Sequence, residues 1–411
     1  MLGESRYRRS LPVLTTAVLL LAVAACGTDT DGADAGGELA TMSPVTLRVQ
    51  SAHGPDAAAS RAFDAWKEAV EEASEGKLQF EMFYGGALAP LTETEEGLAA
   101  GLVDIASHAP IYNPAQFPAE NVIQQMNSVI APQPLAGTLQ ALGAQTELAL
   151  EEVYPPQFEE QGLHPLLVPA TVIPAYHLVC TDDPVRTLDE AEGTRVRVPS
   201  EHLGSEAEAL GMTPTATTIA ELYEAMERGV VDCALAAPSD IRDLGLIDVV
   251  DHWILDPEVM WSGVSSFHVS ISKTTWDGLP VAAQRILWDT AGEVFLRTMT
   301  EAALADTAEA ITQAQQGGVR FHRWNEDIRG ALRGHQQTVA GSATAEMDRG
   351  EEFGARFAAL HDEWLNALPE LGYEPSLDAS FEEFASGFTD SGFDLGPFVS
   401  RVVEVRSAHR P

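Results

Sequence analysis

Residues 192–237 constrain the fold of this chain more than any other stretch, because their apolar period switches between two and about 3.6. Arg195-Val196-Arg197-Val198 alternates basic with β-branched residues, the pattern of a strand with one buried face. Pro199-Ser200 ends that strand, and a serine oxygen there can take the free N–H groups of a following helix. Leu203, Ala207 and Leu210 then fall on one helical face before Gly211 stops the helix. Thr218 opens a second helix with Ile219, Leu222, Tyr223 and Met226 as its apolar stripe, and Gly229 closes it. Residues 230–235, VVDCAL, read as a further buried strand.

Such a unit gathers parallel strand ends along one edge, where open α/β sheets bind ligands. An arginine at that edge stays charged and offers a planar fork to a carboxylate. Arg197 is therefore a candidate carboxylate clamp. The plainer alternative is a surface arginine on an edge strand.

Upstream, residues 45–51, 78–83 and 102–106 read as strands, with helices over 57–73 and 95–100 between them. This β-α-β-α-β order predicts a mainly parallel sheet flanked by helices. Residues 114–134 read as irregular and 135–153 as a helix. Strands follow at 163–168 and 175–180, separated by a segment bounded by Pro169 and Pro174. A helix over 239–250, with Ser239 as its cap, and a return strand over 264–272 come next. Residues 280–316 form a long amphipathic helix, 319–324 a short strand, and helices continue to about 368. The periodicity of 372–411 is too weak to assign elements. The expected organisation is two β/α lobes. Lobe I holds 44–174 and receives 267–318, which also supplies a helix spanning both lobes; lobe II holds 175–266 with about 319–370; 371–411 stays unassigned. Crossings between lobes can act as hinges that close on a ligand.

The segment GTRVRVP (193–199), the helix ending Leu210-Gly211, and ELYEAMERGVVD (221–232) together resemble the solute-binding proteins of tripartite ATP-independent periplasmic (TRAP) transporters, the DctP-like family. The resemblance continues in FYGGALAPLTETEEGLAAGLVDIA (83–106) and in VSISKTTWDGLPVAAQRIL (269–287). It implies a two-lobed α/β fold like that of periplasmic binding proteins (type II-like), with a long helix across both lobes. It also implies a receptor that captures a small organic acid, performs no chemistry, needs no cofactor and hands its ligand to TRAP membrane subunits. By the same resemblance Arg197 pairs with the ligand carboxylate, and Arg195 is a supporting charge. His177 stands where the sialic-acid-binding branch has a second arginine, Ala236 where it has asparagine, Ile219 where it has phenylalanine, and Leu235 where it has glutamate. These departures make the expected pocket more apolar and argue against sialic acid and other highly hydroxylated acids, whose buried hydroxyls would need partners. Trp261 lies near a tryptophan of keto-acid-binding members, and Phe267 sits on the return strand. His53, Ser107 and His108 end first-lobe strands and complete the candidate set.

Net charge is −38, with 62 acidic against 24 basic residues. Nothing in such a chain would neutralise phosphates, which excludes nucleic acid as a partner. An anionic ligand would need a local positive focus. At the N-terminus, Arg6, Arg8 and Arg9 precede the apolar run 11–24, the layout of a signal peptide. Val23-Ala24-Ala25-Cys26 resembles the lipobox of bacterial lipoproteins, which implies a leader over 1–25 and lipidation of Cys26. Residues 26–43 then read as a flexible tether to the membrane. Cys180 and Cys233 could form a disulfide in an exported protein or remain two buried thiols. The histidines, among them His268, do not fall at metal-ligand spacing.

Two other functions use the same residues differently. An extracellular lipoprotein hydrolase would need a nucleophile signature, and neither G-x-S-x-G nor H-E-x-x-H occurs. A ligand sensor for a membrane kinase would share the fold and site of a transport receptor.

Overall fold

The computed structural model describes residues 37–411 apart from 152–154, 174–175, 263–264, 348 and 392. The expected leader and Cys26 lie outside the described residues. The strands are β1 (Val45–Gln50), β2 (Leu78–Phe83), β3 (Ile105–His108), β4 (Leu163–Ile173), β5 (His177–Cys180), β6 (Arg195–Val198), β7 (Thr213–Ala216), β8 (Cys233–Ala236), β9 (His252–Ile254), β10 (Ser265–Ser272) and β11 (Arg320–His322). They form two sheets, ordered β2-β1-β3-β10-β4 and β11-β9-β5-β8-β6-β7. Each sheet is the heart of one lobe, with helices packed on it.

Both sheets are mixed. β1 is parallel to β2 and β3, and β6 is parallel to β7 and β8. β10 runs antiparallel to β3 and β4, and β5 antiparallel to β8 and β9. The chain reaches β5 from lobe I and β10 from lobe II. A strand that enters at the cleft edge must run away from it, opposite to strands that end there.

The helix expected over 280–316 is present as Val281–Thr290, one wide π turn at Ala291–Phe295, and Leu296–Gly317. It bridges the lobes: Phe295 packs on Phe63 and Trp66 of lobe I, while Gly317 abuts Ile247 of lobe II. Helix Gly350–Ala367 lies against Pro134–Ala149. Their approach depends on Gly143, where a Cβ would sit 2.2 Å from the buried Trp364 ring. That ring cannot move aside freely, because its Nε1 donates to Glu147 Oε2 at 3.0 Å.

Several local expectations change. Residues 114–134 are not irregular throughout, since Pro118 opens a helix to Met126; its fixed φ suits a first turn. The strand before the lobe crossing continues through Pro169 to Ile173. Ser239 is not the cap of its helix: Pro238 is its first residue, and Asp240 Oδ2 accepts the Ala237 N–H at 3.3 Å. Residues 372–411 contain a short 3-10 turn at Glu374–Ser376 and two α-helices, Phe381–Ser391 and Gly396–Ser407, the last carrying Phe398, Val399 and Val402 into the core. Cys180 and Cys233 face each other across β5 and β8 and form a disulfide.

Candidate functional site

A cavity of about 870 Å³ opens between the lobes, within the usual size of small-molecule sites. Lobe I supplies His53 from the turn after β1, Arg61 from the helix Ala58–Ala73 that follows it, and Phe267 from β10. Lobe II supplies Ile219 and the helix Pro238–Asp243. The spanning helix lays Met299, Ala303 and Asp306 along the floor.

Arg197 sits in the interior of lobe II, only 1% exposed, on the strand between β7 and β8. Its Nε donates to Thr217 O at 3.0 Å and its Nη1 to Leu235 O at 2.9 Å. Neutral carbonyls orient the guanidinium without cancelling its charge. Its Nη2 has no hydrogen-bond partner among the described residues. Two acidic groups respond to this cation. Burial pushes the Asp240 carboxyl up from 3.8 to about 7, with Arg197 pulling the other way. Burial likewise raises the Tyr112 phenol, against the pull of Arg197. Asp240 lines the cavity and so couples the buried cation to it. Tyr112 reaches Arg197 from lobe I.

Around the cavity, charge is dominated by paired groups. Arg61 of lobe I donates to Asp306 at 2.9 and 3.0 Å, and Arg242 of lobe II donates to the same carboxylate at 2.6 Å. Asp306 on the spanning helix thus ties both lobes together. Burial works against the Arg242 cation, but Asp306 and Asp243 hold its pKa above the ordinary range. Asp56, Asp240, Asp243, Asp306 and Glu309 face only Arg61 and Arg242 along the wall. The His53 ring meets Phe267 edge-on at 4.8 Å. Burial lowers the pKa of His53, partly offset by Asp243.

The structure distributes the sequence candidates unevenly. His53, Ile219 and Phe267 line the cavity, whereas Arg197 does not: it lies behind the wall and reaches the cavity through Asp240. His177 is buried on β5, where Nδ1 meets Ile254 O at 3.3 Å and the ring packs on Trp253 and Phe381. Trp261 packs on Trp324 in the lobe II core. Ala236 is fully buried at the end of β8, paired with His177. Ser107 Oγ accepts the Ala52 N–H at 3.0 Å, which ties β3 to the turn after β1. His108 is held between Glu95 at 3.0 Å and Ser270 at 2.9 Å. None of these five lines the cavity. Arg195 is not a supporting charge here. It is half-exposed and pairs with Asp232 at 3.0 Å, because it lies at the start of β6 and Arg197 further along. Sequence reasoning missed Tyr112, Asp240, Arg242 and Asp306. The signal for Asp240 was present as an acid in the first turn of a short helix, which reads equally well as a cap.

The sign of the Asp240 shift gives a pH dependence. A carboxyl whose folded pKa is raised contributes stability that is complete below 3.8 and is lost as pH rises through about 7. Glu206, buried against Ser262 and raised by burial to about 7, acts in the same direction. The contribution of these two carboxyls, read by thermal unfolding of the unliganded protein, is therefore expected to fall from about pH 5 to about pH 8, against an opposite rise from buried histidines such as His177 and His202, whose pKa burial lowers to about 4. Asp240→Asn should shrink that fall; an unchanged profile would place the titration elsewhere.

The model of a family described as "Bacterial extracellular solute-binding protein, family 7" (DctP) matches residues 50–346, well over half the chain. A "Monocarboxylate 2-oxoacid-binding periplasmic protein" of Nostoc sp. (strain PCC 7120) is 22% identical over 324 residues, covering 77% of this chain and 82% of that one. The TRAP periplasmic solute-binding protein of Sulfitobacter sp. NAS-14.1, solved with β-D-galacturonate, superposes with a TM-score of 0.64 at 21% identity. It covers 77% of this chain and 100% of its own. A marine metagenome TRAP solute-binding protein with co-purified pyroglutamate reaches 0.66 at 15% identity, covering 78% and 100%. At these identities the solved structures show a shared fold.

Proposed function

The chain belongs to the bacterial extracellular solute-binding proteins of family 7, and from that premise we propose that it captures a small monocarboxylate for a TRAP-type permease. Membership makes it an extracytoplasmic binding protein rather than an enzyme. Among the described residues no group of three His, Cys, Asp or Glu could hold a metal ion.

The observation that carries the ligand class is Arg197, a buried guanidinium oriented by two carbonyls with Nη2 uncommitted. Such an arginine is arranged for a charge-assisted bond to an anion. A second carboxylate would meet the acidic wall of Asp56, Asp243, Asp306 and Glu309, so one acid group fits and two do not. Ile219, Phe267, Met299 and Ala303 suit a partly apolar body. His53 and Phe267 close on it from lobe I, and the Arg61–Asp306–Arg242 network completes as the lobes meet. His177, Ala236, Trp261, Ser107 and His108 support the walls in this reading and do not touch the ligand.

The test is a thermal-shift series with matched ligands. Pyroglutamate and 2-oxo monocarboxylates should raise the melting temperature by mass action, their carboxamides should not, and succinate should be weaker than either. Equal shifts from acid and amide would end the carboxylate reading.

The same proposal places the protein on a membrane through lipidated Cys26, supported by the small residues Val23-Ala24-Ala25 before it. Cys26→Ser is expected to move the protein from the membrane to the soluble fraction. Retention at the membrane would refute the anchor.

A further inference from the structure

A second cavity, of about 300 Å³, lies in lobe I away from the cleft, between the start of β4, the helices Lys273–Gly278 and Val281–Thr290, and the segment following helix Gly396–Ser407. Its wall includes Ala149, Leu166, Val168, Trp276, Trp288 and Arg406. Part of it comes from residues beyond 346, outside the segment shared with the family.

Arg406 is 3% exposed. Nη1 donates to Leu166 O at 2.9 Å and Nη2 to Trp288 O at 3.1 Å, and the guanidinium lies over the Trp288 ring at 4.1 Å from its centroid. The Trp288 carbonyl lies just before the wide π turn, where the ordinary helical ladder is interrupted and a carbonyl can accept from outside. No carboxylate pairs with Arg406 among the described residues; Asp289, whose charge acts on it, is itself bound by Arg410 at 2.9 Å. Burial lowers its pKa to about 9, the direction expected of a cation short of counter-charge. The Trp288 indole Nε1 is sealed from solvent and has no acceptor among the described residues. A buried cation and a buried donor thus border one space whose inner wall is largely apolar, with His164 beside them and the exposed Glu159 and His409 also on its lining. Trp276, stacked on His164 at 4.2 Å, supplies an aromatic wall.

We propose that this cavity is a second ligand site, for a planar single-ring monocarboxylate whose acid group meets Arg406 and Trp288 Nε1 and whose ring packs beside Trp276. An aromatic carboxylate supplies the missing charge, one acceptor for the indole and a body that the apolar wall accepts. The volume limits it to about one ring, since a cavity of about 150 Å³ already holds benzene. A phosphate would bring more charge than one guanidinium balances and would leave the apolar wall unused.

The probe is sodium benzoate, followed by the indole N–H signals of the intact protein in two-dimensional NMR. Single replacements Trp276→Phe and Trp288→Phe identify the two signals, and neither residue lines the interlobe cleft. Both signals are expected to shift and saturate with benzoate, that of Trp288 moving most, as its N–H gains an acceptor. Benzamide should move them less than a tenth as far at equal concentration. Ala149→Leu, which fills the space without touching Arg406, should abolish the benzoate response. Signals that stay fixed in benzoate, that respond equally to benzamide, or that respond unchanged in Ala149→Leu would each overturn the assignment. The readout is independent of Arg197 and of the interlobe ligand.

Discussion

Arg197→Met is expected to weaken monocarboxylate binding by about 2–5 kcal/mol, from roughly thirty-fold to a few thousand-fold, by the usual cost of removing one member of a buried charge pair. The loss is large because the cation is held in advance. Thr217 and Leu235 fix the guanidinium plane, so a carboxylate meets an oriented donor rather than a mobile one. Methionine keeps much of the length but leaves those two carbonyls without a donor, each at about 1–3 kcal/mol. Removal of a buried charge offsets part of that cost, so the variant should still fold. Titration calorimetry at fixed pH reads the affinity, and thermal unfolding checks the fold. Affinity within about threefold of the parent, in a folded variant, would remove Arg197 from the site. Asp240 should modulate the same measurement. As it ionises above about 7 it offers Arg197 an internal counter-charge, and ligand affinity should decline with it.

The disulfide carries the second large effect. Cys180→Ala with Cys233→Ala should lower stability by about 4 kcal/mol, on the chain-entropy account of a loop this long. The sequence separation is 53, and the bond restricts the unfolded chain across all of β6, β7 and the helices between them. Replacing both cysteines avoids a lone buried thiol. Urea denaturation should show an earlier midpoint, and a change under about 1 kcal/mol would mean that the strand pairing alone holds this region. Binding should suffer less than stability. Cys233 lies beside Val196 in the pairing of β6 with β8, one residue from the pair Arg197–Ala234. The bond therefore steadies the strand whose Leu235 carbonyl orients the clamp, but it does not touch the cavity.

Much of this was legible in one dimension because it is periodic. Alternation in Arg195–Val198 and the stripe Ile219–Met226 marked a strand and a helix that the fold contains. Ser200 caps its helix through Leu203 N at 3.3 Å, as its type and place suggested. The long helix was visible from its amphipathic period, though its wide turn was not: that turn lies where Arg406 packs against Gly292, from more than a hundred residues away. Residues 372–411 resisted reading for a related reason. Their apolar residues face several neighbours at once, so no single period dominates.

Local pattern thus determined the class of elements, their order, the acidic character of the chain and the strand that holds Arg197, because these depend on neighbours in sequence. Tertiary structure alone decided which side chains share a space. Arg195 and Arg197 stand two residues apart, yet one meets solvent and Asp232 while the other is enclosed by carbonyls from two further segments. Asp240, Tyr112 and the pairing of Arg61 and Arg242 on Asp306 arise from segments separated by tens to hundreds of residues. Burial and charge coupling act through distance in space, which spacing along a chain does not encode.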